Sequence, residues 1–511
     1  MVATKSNEKI KIRYLEKGSI PTTVDIVVIG GGIGGLVCAN YLVKSGFKVV
    51  LVEKHHTWGG YSSSFNRGKY YFDAGAHYLG SCRPEGQIGK LITDLELTPG
   101  FELIHCEPSE VVISKSNEVL IYSNVEKLIN ELQFRFPQEK KGVSSFFKYI
   151  TQTDPLVLFV QLKDKFFKEL LDQYFKEWEI KSVLATLLGN IGLPSSQASA
   201  LTSVFLYKEF ILDGGYYPKG GMQQFPNALL ASFKKNGGIA LSLSPAVKII
   251  TGTDGIRSVH IKYLGRHDVI ITTKIVVCNC DPYQVFEKLL GDSVSLSRES
   301  ALLKERTPTV SAFMLYLGVK GNLEDEVKYP CNIWSYKKGP IDSYFEGVIK
   351  GEIEYGQDSF LFCSMPSLHD PTLLPAGYHC IQAIIAAPFL ERKVWEAEKE
   401  LLAEDVISRI EQYVPSIRNL IEIEEIATPP TLMKYTWSHR GAMYGWASLP
   451  KQVGLKRFPE ETSIDGLYMV GHWAGLPSGH SGIPTVVSSG RNVARLVTKK
   501  MKKSLFQISK T

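Results

Sequence analysis

Cysteine is scarce and poorly spaced for chemistry. Eight occur in 511 residues, and the one close pair, Cys278-x-Cys280, lacks the two-residue spacer of zinc knuckles and thioredoxin-like sites. The thiols are therefore expected to be reduced and mostly buried. An excess of one charge sign is also missing: 58 Lys and Arg against 52 Asp and Glu leave a formal net charge of +6. Spread over the whole chain, that excess is far below the density of a dedicated nucleic-acid binder, and no nucleic-acid partner is expected. There is no HExxH, no GxSxG elbow and no Walker A lysine pattern, so neither a metal site nor a nucleophile elbow is predicted. Low-complexity linkers and internal repeats are absent, and 44% hydrophobic with 22% charged residues is ordinary globular composition. The N-terminal stretch MVATKSNEKIKIRYLEKGS lacks the apolar core of a signal peptide, which makes the cytosolic side the expected location. At roughly 100–200 residues per domain, the length predicts two to four domains or a two-domain enzyme with interleaved segments. The sequence leaves the oligomeric state open.

One long uncharged run is present, the 18 residues Ile26 to Val43, near the lower length limit of a membrane span. It holds Gly30, Gly31, Gly32, Gly34 and Gly35, which would weaken a helix in lipid. The stretch Val24–Ile29, which overlaps its start, is rich in β-formers and Leu36–Val43 favours helix, so it reads as strand, turn and helix. The turn spells Gly30-x-Gly32-x-x-Gly35, the helix runs to about Ser45 with Gly46 as its stop, and a second β run, Lys48–Val52, ends at Glu53. In such a unit the first glycine permits the tight turn, the second lets backbone approach a pyrophosphate, and the third lets helix and strand pack closely. The helix N-terminus faces the phosphates. Glu53 falls 23 residues after Gly30, where a carboxylate accepts both ribose hydroxyls and repels a 2′-phosphate, favouring FAD or NAD over NADP.

Downstream come Lys54-His55-His56-Thr57-Trp58-Gly59-Gly60-Tyr61-Ser62 and Tyr71-Phe72-Asp73-Ala74-Gly75-Ala76-His77. This resembles the extended FAD signature of the amine oxidase and phytoene desaturase superfamily. Further segments fit it: Gly214 to Met222, Val277-Cys278-Asn279-Cys280-Asp281-Pro282, Gly466 to Trp473 and Gly479 to Thr485. The Pro218-Lys219-Gly220-Gly221 segment, Ala427-Thr428-Pro429-Pro430-Thr431 and the Gly441–Gly445 turn are closest to the branch of phytoene desaturases, carotenoid cis–trans isomerases and retinol saturases. The resemblance covers about residues 22–500.

The resemblance implies an α/β fold: a Rossmann-like FAD-binding domain of the glutathione-reductase type with an interleaved α+β substrate domain. The FAD domain would comprise 1–105, 213–290 and 455–511, the substrate domain 106–212 and 291–454. The implied cofactor is FAD, held by Gly30, Gly32, Ile33, Gly34, Gly35, Glu53 and Lys54, then by Gly59, Gly60, Tyr61, Ser62 and Val247. Gly471, His472, Gly482, Ile483 and Pro484 complete the set, the last three opening a helix, Val486–Val497, whose N-terminus would face the flavin. Tyr61 stands where the oxidases commonly have arginine, and His472 where many relatives have an acid or alanine. His77 and His480 are the candidate catalytic residues, with His439-Arg440 behind them.

The implied activity is hydride exchange between flavin and a lipophilic, polyunsaturated substrate, as desaturation, saturation or isomerisation. The alternatives are an amine or amino-acid oxidase and a non-enzymatic escort resembling GDP-dissociation inhibitors. Phe159, Leu162, Phe166, Leu170 and Tyr174 recur three or four residues apart and predict one amphipathic helix, a core element or a membrane-dipping mouth. Glu391–Tyr413 predicts another, with a solvated outer face. The last 21 residues hold seven Lys or Arg and no acid, suiting either an anionic membrane surface or a frayed end.

Overall fold

The computed structural model describes residues 19–291, 297–475 and 482–508. Five short strands form a parallel sheet in the order Leu467–Met469, Ile275–Cys278, Ile26–Ile29, Val49–Val52 and Ile239–Leu241. The central strand is wholly buried and uninterruptedly apolar, as a parallel strand covered on both faces must be. Helices Ile33–Lys44, Gln224–Lys235 and Ile483–Ile508 pack together on one face. A three-stranded antiparallel sheet, Ala246–Gly252, Gly255–Tyr263 and His267–Thr272, packs on the other.

A second sheet has seven strands, in the order Ile421–Ala427, Ser311–Lys320, Tyr378–Ala387, Leu361–Ser364, Asn332–Ser335, Glu110–Ile113 and Glu118–Ile121. Only the pairing of Asn332–Ser335 with Glu110–Ile113 is parallel. Because successive side chains alternate between faces, Phe313, Leu315 and Leu317 enter the large core on one side, whereas Met314 and Tyr316 face the other. Helix Arg392–Glu411 covers the first side, burying Trp395, Leu402, Val406 and Ile410, with the Trp395 ring 6.2 Å from that of Phe313. The amphipathic reading of this stretch thus gives a helix with one solvated and one fully packed face.

Two expectations are corrected. Phe159–Tyr174 is two helices, Pro155–Leu162 and Phe167–Tyr174. The chain breaks because the Phe167 and Lys168 N–H groups donate to the Ala198 and Ser195 carbonyls (2.9 Å each), while Glu169 accepts the N–H of Phe166 (2.7 Å). The predicted Val486–Val497 helix runs from Ile483 to Ile508, so the basic tail continues a helix. Arg491 in it donates to Tyr41 Oη and Gln87 Oε1 (3.0 Å each). All eight cysteines are free thiols, six of them buried. Among the described residues no helix is long and apolar enough to cross a membrane.

Trp395 is 1% exposed and anchors the covering helix. Trp395→Ala is expected to lower stability by about 3–5 kcal/mol, the usual cost of emptying an aromatic core site. Urea unfolding of the wild type and variant measures it.

Candidate functional site

Where the first strand ends, Gly30 takes φ +99°, and a Cβ there would stand 2.5 Å from the Asn279 carbonyl oxygen. The helix that follows begins at Ile33 with no side-chain cap, leaving its first amide groups for a ligand. A Cβ on Gly34 would lie 2.9 Å from the Gly471 Cα, and one on Gly35 would collide with the Gly30 carbonyl. Both glycines therefore serve close packing, and Gly35 and Gly471 stay behind the cavity wall. Asn279 Nδ2 donates to the Gly30 carbonyl (3.3 Å), and its backbone N–H to that of Ile29 (2.8 Å).

Beside this turn, Gly59 and Gly60 fold back in left-handed conformations (φ +118° and +61°), and the Gly59 N–H donates to the Gly31 carbonyl (2.9 Å). A Cβ on Gly60 would come 3.4 Å from the Gly32 Cα, so two backbones line one cradle. Glu53 closes its end. Its Oε2 accepts the Gly31 N–H (2.7 Å) and its Oε1 the His55 N–H (2.9 Å). A carboxylate has about four acceptor positions, so two remain for a diol.

One cavity of about 1020 Å³ runs from this cradle to the large sheet. Gly30, Gly32, Ile33, Gly34 and Glu53 line it, as do Lys54, Gly59, Gly60, Tyr61 and Ser62. His77, His472, Gly482 and Ile483 line it too, bringing the first turn of the C-terminal helix to the same space, with Pro484 just outside. Val247 is not brought in: it is the extra residue of a β-bulge between Ala246 and Lys248, 37% exposed, while Ser244, Pro245 and Ala246 supply the wall. His480 lies outside the described residues. His439 is turned away from the cavity, stacked on Tyr283 at 4.0 Å between ring centres.

The polar side chains of the cavity are tuned by burial. Desolvation holds His77 down to about 3 and His472 to about 4, so both are neutral imidazoles. His77 packs against Phe362 at 4.4 Å between ring centres, with its buried Nε2 unpartnered. A glycine at 445 lets its turn approach His472, whose Cδ2 would be 2.8 Å from a Cβ there. Tyr61 Oη donates to the Ala442 carbonyl (3.0 Å), tying the cradle to that turn. Lys54, lowered to about 8 by burial, donates to the Tyr435 carbonyl and lies 4.3 Å from the centre of the Trp437 ring. The ammonium is thereby committed to a protein contact.

Beyond the cradle the walls change character. Across the large sheet, Ala427, Met314, Ile384, Phe362 and Trp334 are successive register partners, and all five line the cavity as one row. Phe210, Phe345 and Phe360 add further apolar wall. The sequence reading did not single out this row, because each member belongs to a different strand. It also passed over Asn279 and Asp281 individually, although both sit in the quoted Val277–Pro282 segment.

The family model described as flavin containing amine oxidoreductase matches residues 33–498. The chain belongs to this family. It is an FAD-dependent oxidoreductase, and the Gly32–Gly60 cradle, the free acceptor positions of Glu53 and the uncapped helix start fit that cofactor. Membership among these flavin oxidoreductases sets aside the non-enzymatic escort. An all-trans-retinol 13,14-reductase of Danio rerio is 23% identical, over 91% of this chain and 86% of that protein. A chloroplastic prolycopene isomerase of Daucus carota is 25% identical, over 88% of this chain and 76% of that protein. Among solved structures, an oxidoreductase from Methanosarcina mazei has a TM-score of 0.69 at 16% identity, covering 92% of this chain and all of that one, a likeness of fold.

Two predictions follow from the cofactor end. Glu53→Gln removes a charge-assisted contact of about 1.5–3 kcal/mol and is expected to weaken FAD binding roughly ten- to a hundred-fold, read by flavin fluorescence titration of apoprotein. Asp281 lines the same cavity, and burial raises its carboxyl from 3.8 to about 7 despite the N–H groups of Tyr283 and His439 that it accepts. The folded state then holds a proton that the unfolded state has released, so its stabilising contribution is lost as pH rises from 3.8 through about 7. Asp281→Asn is expected to flatten the fall of melting temperature between about pH 4 and pH 7 relative to wild type.

Proposed function

We propose that this oxidoreductase acts on a carbon–carbon bond of a long polyunsaturated lipophile of the carotenoid or retinoid kind, by desaturation, saturation or cis–trans isomerisation. The observation that carries the reading is the cross-sheet row: Met314, Ile384, Phe362 and Trp334 offer apolar and aromatic surface and no ionised group. The retinol reductase and prolycopene isomerase, named for a retinoid and a carotenoid, support it as relatives.

Bound FAD supplies a ring that takes up or returns a hydride. The chain's own residues do the rest. The row and the facing aromatics strip water from an apolar chain and fix its position, which is where binding energy becomes orientation. The His77 ring against Phe362 continues that wall as a neutral group, able to accept or donate one hydrogen bond without carrying charge. His472, also neutral, fills the same role beside Tyr61, with ring centres 6.1 Å apart. We assign substrate binding to the unit formed by residues 106–212 and 291–454, which contributes all seven strands of the large sheet together with its covering helices. An ammonium substrate fits less well: the row itself holds no carboxylate, so desolvating a cation against it is costly.

Anaerobic mixing of oxidised and of reduced holoenzyme with carotenoid, retinoid, unsaturated fatty-acyl and amine candidates tests the proposal. A polyene is expected to change the flavin absorbance or to emerge altered in bond order or geometry. Phe362→Asp, which sets a carboxylate in the apolar row, should abolish that reaction while FAD stays bound. Rapid flavin reduction by an amine, with every polyene inert, transfers the assignment to amine oxidation.

A further inference from the structure

The helix Pro155–Leu162 has an unusual outer face. Its sequence, PLVLFVQL, contains no charge; Leu158 and Leu162 are buried, yet Leu156 is 70% and Val160 62% exposed. Its one polar side chain, Gln161, accepts from Tyr149 Oη (2.9 Å), and a helix otherwise apolar all round belongs in a core or in lipid. Next to it, the turn Gly454–Lys456 presents Leu455, 77% exposed. The two pieces form one surface: a Cβ on Gly454 would lie 3.3 Å from the Phe159 ring, and Lys456 Nζ is 2.7 Å from Asp164 Oδ1. Exposed Lys163 and Lys451 rim it, whereas Lys456 is paired with Asp164. The nearby acids are engaged: Asp154 caps the helix by accepting the Leu156 N–H (2.8 Å), and Asp164 takes Lys456.

We infer that this face docks on an anionic lipid bilayer, with Leu156, Val160 and Leu455 entering the acyl boundary and the lysine rim meeting the headgroups. Apolar side chains ringed by cations match the two layers of such a surface, since lipid takes the leucines and anionic headgroups the lysines. A second copy of the chain would bring the lysine rims face to face and is disfavoured. The face also lies close to the cavity: the helix Ala200–Leu206 packs against Pro155–Leu162, and its Leu206 lines the cavity. A lipophile leaving a bilayer here would have one helix to pass. That route rests on the substrate reading above, whereas docking itself rests on the surface alone.

The test uses full-length holoenzyme, sedimented with vesicles of phosphatidylcholine alone or mixed with phosphatidylserine, at low and high salt. Wild type is expected to pellet with the mixed vesicles at low salt and less so at high salt, because salt screens the lysines and leaves the apolar contact. The triple variant Leu156→Ser, Val160→Ser, Leu455→Ser should lose about tenfold or more of that binding. Its flavin absorbance and its reaction with a detergent-dispersed polyene should remain those of wild type. Equal pelleting of variant and wild type overturns the inference, as does light scattering that shows a wild-type dimer dissolved by the substitutions. Vesicle binding by wild type without any polyene reaction leaves the docking face standing and removes the polyene reading instead.

Discussion

Three stretches far apart in the chain meet around the side chain of Asn279, and the rest of the molecule is arranged by how closely they meet. Gly30–Gly35 crosses over it, and a Cβ on Gly471 would collide with its Oδ1. Gly34 and Gly471 approach so nearly that a methyl group on Gly34 would lie 2.9 Å from the Gly471 Cα and force the two apart. Because interiors are packed to crystal-like density, such an approach has no slack to absorb an added atom. The consequence is positional: the helix start at Ile33, the loop after Gly471 and the strand end at Cys278 are held in one fixed relation, and the cofactor cradle follows from it.

The large sheet is held over that cradle by hydrogen bonds, several made by groups that burial disfavours. Tyr316 Oη donates to the Ala74 carbonyl (2.8 Å) and Gln382 Nε2 to the Asp73 carbonyl (2.9 Å). The Asp73 carboxyl itself, raised to about 6 by burial, accepts from Tyr217, Ser64 and Met222. Burying a carboxyl is costly unless its acceptor positions are filled, and here they are. Such donors tie segments that sequence places hundreds of residues apart, so the large sheet meets the Tyr70–Asp73 strand through specific polar contacts as well as apolar packing.

What could be read from sequence follows the range of the interactions. The cradle was legible because its logic is local: glycine spacing, a strand before, a helix after and an acid at Glu53 are all fixed within about one βαβ unit of some thirty residues. The apolar wall was not. Trp334, Phe362, Ile384, Met314 and Ala427 become neighbours only through antiparallel and long-range register, and nothing in a single strand announces which of its two faces the cavity takes. Phe159 to Tyr174 misled for a related reason. Two helices, each in period, can keep a common stripe across a break, and the break itself is made by the Ala198 and Ser195 carbonyls, thirty residues on. At Val247 a bulge, which has no compositional mark in the strand Ala246–Gly252, turned the side chain outward.

The apolar row also has a scale. Strands in a sheet stand about 4.8 Å apart, so a row crossing five of them is about 19 Å long from Ala427 to Trp334. Its length is therefore counted in strands and its width in pleats. A strand direction can be lengthened residue by residue, but this one grows only by whole strands, in steps of about 4.8 Å. Reach in such a molecule is a property of topology, beyond tuning by point substitution: side chains along the row set how far its apolar surface stands out, and the strand order sets how long that surface is.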